Sequence, residues 1–477
     1  MLGLGLCAAA AAAELKPCRL KGVPHEALCG SVSRPLDPAQ PGGPAIEVHF
    51  AVLPALAQRK LPDPVFFFAG GPGQSAIDLA GPLAAQMGRL NNRRDLVFVD
   101  QRGTGLSAPL RCDGDDDRLR PLIEQLDPQR QLAQLAACRE QLMRLPYGDL
   151  RRYTTTIAMG DVEAVRQALG ASAISLVGAS YGTRAALEYM RLFPRAVRRV
   201  VIDGVAPADM VLPASFSLDN QAALDALLDW CAVDPDCRVR HPRLRDAWQG
   251  VLDSLPREVQ LNDPLTGRPE PLQLTRDEVL GMVRSPLYVP ALAAVLPAAI
   301  DEAASGRFDA LAGLASALGS PGARLYTGMH FSVVCAEDVP RLGRAGDAPG
   351  AQFGDAFARL YEQACASWPR GQVDAAFYTT PPAPVATWVL SGGADPATPP
   401  RHGERIARVL GVKARHTVVP HAGHGVMALP CVRDAVLHFI EAVDDDAALK
   451  VDASCAAALP QPRLFVPLGQ AASASQR

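Results

Sequence analysis

Val177-Gly178-Ala179-Ser180-Tyr181-Gly182-Thr183 sets one serine between two glycines at the join of two different periodicities. The residues before it, Ser172 to Val177, read as a short buried strand, and Thr183 to Phe193 carries apolar side chains at helical spacing. Strand, Gly-x-Ser-x-Gly, helix is the nucleophile elbow, a tight turn that lifts the hydroxyl above the sheet edge. The glycines two before and two after the serine are required because a Cβ there would collide with the neighbouring strand or helix. In a chain with 40 glycines the pattern alone is weak. Its weight comes from the motifs arranged around it.

A serine hydroxyl is a poor nucleophile at neutral pH and needs a base, an orienting carboxylate and an oxyanion hole. When the serine sits on such an elbow, the partners follow in the order acid, then histidine. Thr387 to Gly392 reads as a buried strand, and Gly393-Ala394-Asp395-Pro396 follows, placing Asp395 on a turn past a strand end. Thr417-Val418-Val419 is a second β-branched run, followed by His421-Ala422-Gly423-His424-Gly425. His424, flanked by glycines on a loop, is the expected base. The rivals are Asp203, which ends the run Val200-Val201-Ile202, and His421, three residues before His424. Upstream, Val65 to Phe68 is an apolar strand running into Ala69-Gly70-Gly71-Pro72-Gly73. Backbone N–H groups on a glycine-rich turn approach a carbonyl oxygen closely, so Gly71 and Tyr181 are the expected oxyanion donors.

The segments Ala69 to Gly73, Val97-Phe98-Val99-Asp100-Gln101-Arg102-Gly103-Thr104-Gly105-Leu106-Ser107 and Gly178 to Gly182 together resemble the prolyl iminopeptidase and tripeptidyl aminopeptidase family of α/β-hydrolases. Asp-Gln-Arg-Gly-x-Gly-x-Ser is the most specific of the three. The resemblance runs from Cys18 to about Cys455, and length and the Cys-containing lead-in are similar to the larger, secreted branch. It implies an α/β-hydrolase fold, a triad of Ser180, Asp395 and His424, and oxyanion donors at Gly71 and Tyr181. Asp100 and Arg102 then read as structural, bracing loops beneath the site. The sequence departs from the family at Ala69, where many members carry histidine, and it lacks the tryptophan-rich cap motif of the compact prolyl iminopeptidases.

Organisation along the chain agrees. Strands recur at Val65, Leu96, Ile174, Val200, Ala386 and His416 with helical stretches between, which is the βαβ pattern of a mostly parallel sheet. Residues 1–13 read as the tail of a secretory signal, 14–204 as the first part of the core, 205–382 as an inserted, mainly helical lid, and 383–477 as the second part of the core with a tail. An aminopeptidase must hold a free α-ammonium, and a carboxylate does so through charge-assisted hydrogen bonds. In the lid, Glu337 is the expected receptor and Asp338 the second choice, a use of lid carboxylates that the family resemblance also implies.

With 48% hydrophobic and 20% charged residues in 477, the chain can bury a full core. A net charge of −3 gives no electrostatic case for nucleic acid or an anionic membrane. No run reaches the length of a membrane-spanning helix. The acidic cluster Asp113, Asp115, Asp116 and Asp117 lacks the ligand spacing of a calcium loop, so neither metal nor cofactor is expected. Of 11 cysteines, Cys7 lies in the leader and the rest pair by proximity as Cys18–Cys29, Cys112–Cys138, Cys231–Cys237, Cys335–Cys365 and Cys431–Cys455, although ten cysteines allow many other connectivities. An even count behind a leader points to the periplasm or the exterior. The expectation is a serine exopeptidase acting on peptides with a free N-terminus. A carboxylesterase with the same triad and a non-catalytic binding protein on the same scaffold are the alternatives, and the oligomeric state is left open.

Overall fold

In the computed structural model, which describes residues 14–112, 127–264, 266–317, 325–344 and 346–466, the apolar runs assemble into one nine-stranded sheet. Its strands are β1 (Lys16–Cys18), β2 (Ala27–Pro35), β3 (Ala45–Leu53), β4 (Val65–Phe68), β5 (Leu96–Val99), β6 (Ile174–Ala179), β7 (Val197–Asp203), β10 (Thr387–Gly392) and β11 (Ala414–Val419). A separate hairpin is formed by β8 (Arg257–Asn262) and β9 (Pro269–Leu274). The order in the large sheet is β1-β2-β3-β5-β4-β6-β7-β10-β11. The first four strands in that order pair antiparallel and the rest parallel.

Sequence dictates this split. β3 alternates along its first half, as a strand with one wetter face must, whereas β4, β5 and β10 are buried at every position and read as continuous apolar runs. Parallel neighbours need crossovers, supplied by helices such as Thr155–Ala168, Tyr181–Leu192 and Pro400–Leu410. Two apolar clusters pack the sheet, one around Phe66, Leu176 and Tyr189, the other around Phe67, Phe98 and Trp388.

Register decides where the chemistry lies. Phe68 pairs with Gly178, Ala179 with Asp203, Leu390 with Asp203, and Gly392 with Val419. The C-terminal ends of β4, β6, β7, β10 and β11 therefore align along one edge, the edge at which open parallel sheets place their ligands.

Between β7 and β10 the chain forms helices including Ala214–Val233, Leu244–Asp253, Arg276–Leu287, Leu296–Ala304, Thr327–Glu337 and Ala356–Cys365. The β8–β9 hairpin is the departure from an all-helical reading. Val259 and Leu261 alternate with polar neighbours, as do Leu272 and Leu274, and the faces carrying Leu261, Leu272 and Leu274 close a satellite core with Trp248, Val283 and Ile300. The later part of the insertion packs elsewhere: Met329, Phe331, Val333 and Trp368 join the main core.

Five disulfides join Cys18–Cys29, Cys112–Cys138, Cys231–Cys237, Cys335–Cys365 and Cys431–Cys455. No helix among the described residues is long and apolar enough to cross a membrane. The leader with Cys7 and the acidic cluster at Asp113 to Asp117 lie outside the described residues.

Candidate active site

Ser180 stands between β6 and helix Tyr181–Leu192 with φ 55° and ψ −128°, one of two non-glycine residues with positive φ among those described. A non-glycine side chain held there costs on the order of 1–3 kcal/mol, and the surrounding bonds must enforce it. The Ser180 N–H donates to the Asp203 carbonyl at 3.0 Å, and its own carbonyl accepts from the Thr183 N–H and hydroxyl at 2.9 and 2.6 Å. The flanking glycines behave as the motif requires: a Cβ at Gly178 would overlap the Gly182 carbonyl, and one at Gly182 would overlap the Phe68 carbonyl.

The turn after β4 runs beside the hydroxyl. A Cβ placed on Gly70 would lie 3.3 Å from that of Ser180. Gly71 and Gly73, at φ 111° and 107°, adopt conformations that L side chains rarely take, and Gly71 is open to solvent. Tyr181 is the first residue of its helix, so its N–H has no intrahelical acceptor and is free to serve a ligand. Its side chain is buried, with the hydroxyl 2.7 Å from that of Thr155.

His424 is reached from the far side. Its Nδ1 lies 2.8 Å from Asp395 Oδ2, with the carboxylate fully buried and the imidazole 19% exposed. Asp395 also accepts from the Ala397 and Thr398 N–H groups at 2.8 and 2.9 Å and from the Thr398 hydroxyl at 2.7 Å. Burial raises its carboxyl, but the neighbouring His424 charge and these hydrogen bonds outweigh it and hold the pKa below the ordinary value. For His424, burial favours the neutral ring, yet the Asp395 charge, its hydrogen bond and the Asp203 charge prevail and lift it above the ordinary imidazole value. Asp203, the rival acid, has a different task. One of its oxygens accepts from the Val426 and Met427 N–H groups at 2.8 and 2.7 Å, fixing the loop that carries His424. Its other oxygen is buried without a partner, and burial pushes the carboxyl up to about 6. His421, the rival base, lines instead a cavity of about 280 Å³ between the core loops and the insertion.

Glu337 and Asp338, the carboxylates expected to receive the substrate N-terminus, lie in the interior. Both are 1% exposed or less, and both face inward on Arg184 of the helix that follows Ser180. Glu337 accepts from the Thr155 N–H at 2.6 Å and its hydroxyl at 2.9 Å; Asp338 binds Arg184 through two oxygens and caps the Leu212 N–H at 3.0 Å. Every carboxylate oxygen of the pair thus bonds a protein group. Burial, opposed by Arg184, pushes Glu337 up to about 7. Arg102 is likewise buried, forked onto Asp161 at 2.7 and 2.9 Å and donating to the Leu36 and Arg152 carbonyls, while Asp100 accepts from Ser75 and Ile77.

Three neighbours escaped the sequence reading. Thr398 bonds the Asp395 carboxylate and lies 3.1 Å from His424 Nδ1, a placement that the spacing Asp-x-x-Thr signals. Tyr288 sits edge-on to His424 with ring centres 5.3 Å apart, and its carbonyl accepts the His424 N–H at 3.0 Å. His330 lies 3.1 Å from the Pro72 carbonyl and 2.8 Å from the Tyr361 hydroxyl. The last two come from the insertion, whose packing no local pattern announces.

Residues 63–246 match the family model described as alpha/beta hydrolase fold, and residues 350–455 match that of TAP-like protein. Among characterised sequences the chain is 30% identical over 464 residues to Carboxylesterase B of Mycobacterium tuberculosis, covering 87% of this chain and 84% of that one. It is 27% identical over 435 residues to Serine protease Hip1 of the same species, covering 83% and 82%. It is 25% identical over 487 residues to Tripeptidyl aminopeptidase of Streptomyces coelicolor, covering 92% and 85%. Sheet order, motif order and these matches agree: the chain belongs to the α/β-hydrolase family, in the branch carrying the TAP-like segment, and is a hydrolase.

Proposed function

We propose that the protein is a serine peptidase that cleaves peptide bonds near the free N-terminus of its substrates through an acyl-enzyme intermediate. The observation that carries this reading is the Asp395–His424 pair, 2.8 Å apart, at the sheet edge where Ser180 is held in a strained turn. Ser180 attacks the acyl carbon as His424 takes its proton; Asp395 holds the imidazole and favours the imidazolium that forms. The N–H groups of Gly71 and Tyr181 receive the oxyanion. His424 then gives its proton to the leaving amine, and water, activated by the same base, releases the acyl group. The relatives named as a serine protease and a tripeptidyl aminopeptidase support the peptidase class. The five disulfides support an oxidising compartment, periplasmic or exterior.

A second reading, a carboxylesterase, is favoured by the relative of that name and by the commitment of Glu337 and Asp338 to Arg184. The deciding assay compares aminoacyl and tripeptidyl anilides, each with free and acetylated N-terminus, against a short-chain nitrophenyl ester. Cleavage of the free-amine anilides, lost on acetylation and in Ser180→Ala, is expected. Ester cleavage alone, indifferent to the amine, would replace the first reading by the second.

A further inference from the structure

The insertion holds an unpaired cation one helical turn from the tyrosine that meets His424. Arg284 and Tyr288 are four residues apart on helix Arg276–Leu287 and its C-cap, so their side chains lie on one face, a single turn apart. Tyr288 is the residue whose ring meets His424. The Arg284 guanidinium stacks 4.5 Å from the centre of the Phe357 ring, which packs edge-on to Tyr361 at 5.0 Å. Tyr361 is bonded through its hydroxyl to His330, and His330 reaches the Pro72 carbonyl in the glycine-rich turn. Arg284 is thus linked on one side to Tyr288, which meets His424, and on the other through Phe357, Tyr361 and His330 to the glycine-rich turn. The phenols report the same neighbourhood: burial raises both Tyr288 and Tyr361, and the Arg284 charge is the largest influence pulling each back down.

Among the described residues Arg284 has no acid partner, and, unlike Arg341 and Arg415, which also lie on aromatic rings, it has no carbonyl partner either. Elsewhere the chain pairs its buried arginines: Arg94 with Asp63, Arg102 with Asp161 and Arg184 with Asp338. Arg284 is half-buried, and among the described residues no carboxylate or carbonyl meets its guanidinium; only an aromatic face does. An aromatic face attracts a cation but leaves its five N–H donors unfilled. A guanidinium fork held on a ring, one helical turn from the tyrosine that meets His424, matches the two oxygens of a carboxylate.

We propose that Arg284 is the specificity-determining cation of this site and receives a carboxylate of the substrate. That group is either the free C-terminus of a short peptide or an acidic side chain. The inference rests on Ser180 and His424 marking where substrate lies, and it deepens the peptidase reading by giving the substrate a negative end.

The test is binding to Ser180→Ala by calorimetry, using tetrapeptides prepared as free acid and as C-terminal amide, each with Glu or Gln at one inner position. Expected is a preference of about tenfold or more for the peptide bearing the recognised carboxylate, the size that a charge-assisted bond supplies. Loss on amidation assigns the C-terminus; loss on Glu-to-Gln exchange assigns the side chain. Adding Arg284→Gln should bring acid and neutral peptides to within about threefold, and Arg284→Lys should retain part of the gap. Equal binding of all four peptides to Ser180→Ala, or a gap untouched by Arg284→Gln, overturns the proposal. If Arg284→Gln does not fold, judged by its unfolding temperature, the preference in Ser180→Ala and its reduction in Arg284→Lys decide. Peptide hydrolysis by the wild type is scored separately. Carboxylate-selective binding without cleavage keeps the role of Arg284 and fails the peptidase reading; cleavage without carboxylate preference does the reverse.

Discussion

At the residue scale, the site is a set of charges held where water would ordinarily dilute them. Ser180→Ala is expected to lower kcat by about 10⁴–10⁶, leaving only what binding and the oxyanion donors supply, as single-turnover and steady-state hydrolysis would show. The pH profile follows from His424. The base must be neutral, and its pKa lies above the ordinary imidazole value, so kcat/KM should rise with pH through a limb centred above the ordinary imidazole range. Asp395→Asn removes the Asp395 charge, the main upward influence, and leaves burial, which acts downward. The limb should therefore move to lower pH while kcat falls by about 10⁴. A limb that stays in place would show that Asp395 does not set the imidazole's charge. Asp203 gives the contrast, because its bonds go to the Val426 and Met427 N–H groups. Its two loop bonds make it a positioning residue.

At the element scale, Arg184 ties the helix behind Ser180 to the end of helix Thr327–Glu337 and to the turn at Leu212. Breaking a buried ion pair strands a charge, so Arg184→Leu should cost about 3–5 kcal/mol, read by denaturant unfolding. Glu337→Gln should cost far less near pH 7, since the Glu337 carboxyl sits at about 7 and the amide keeps its shape. It should also leave the KM for aminoacyl anilides unchanged; a several-fold rise would restore Glu337 as a substrate contact. Much of this framework was legible in the sequence. Ser180, Asp395 and His424 each follow an apolar run, and parallel register brings the ends of such runs together without further information. The burial of Glu337 was not legible, because a pair of adjacent acids reads as a wet turn, whereas the fold closes it over Arg184, more than 150 residues away in the chain. The partners of Thr398 were within local reach. Those of Tyr288, His330 and Arg284 were not, because their positions depend on how the insertion docks, and docking is set by contacts between distant segments.

At the scale of the whole molecule, two constructions meet at the site. The sheet edge carries Ser180, Asp395 and His424, and the insertion carries Tyr288, whose ring meets His424. Cys335–Cys365 fastens the second construction internally, joining the helix that bears His330 to the helix that bears Phe357 and Tyr361. The bond closes a loop of 30 residues, for which chain entropy alone gives a stabilisation of about 3.5 kcal/mol. Replacing both cysteines by serine should lower the unfolding temperature by a corresponding amount. The kinetic consequence is more telling. The triad hangs on strand ends outside this loop, so loosening the two helices should raise KM for peptides several-fold while kcat stays within about twofold, the signature of lost uniform binding. An equal fall in kcat and kcat/KM would instead mean that the insertion, through Tyr288 against His424, sets the geometry of the base itself.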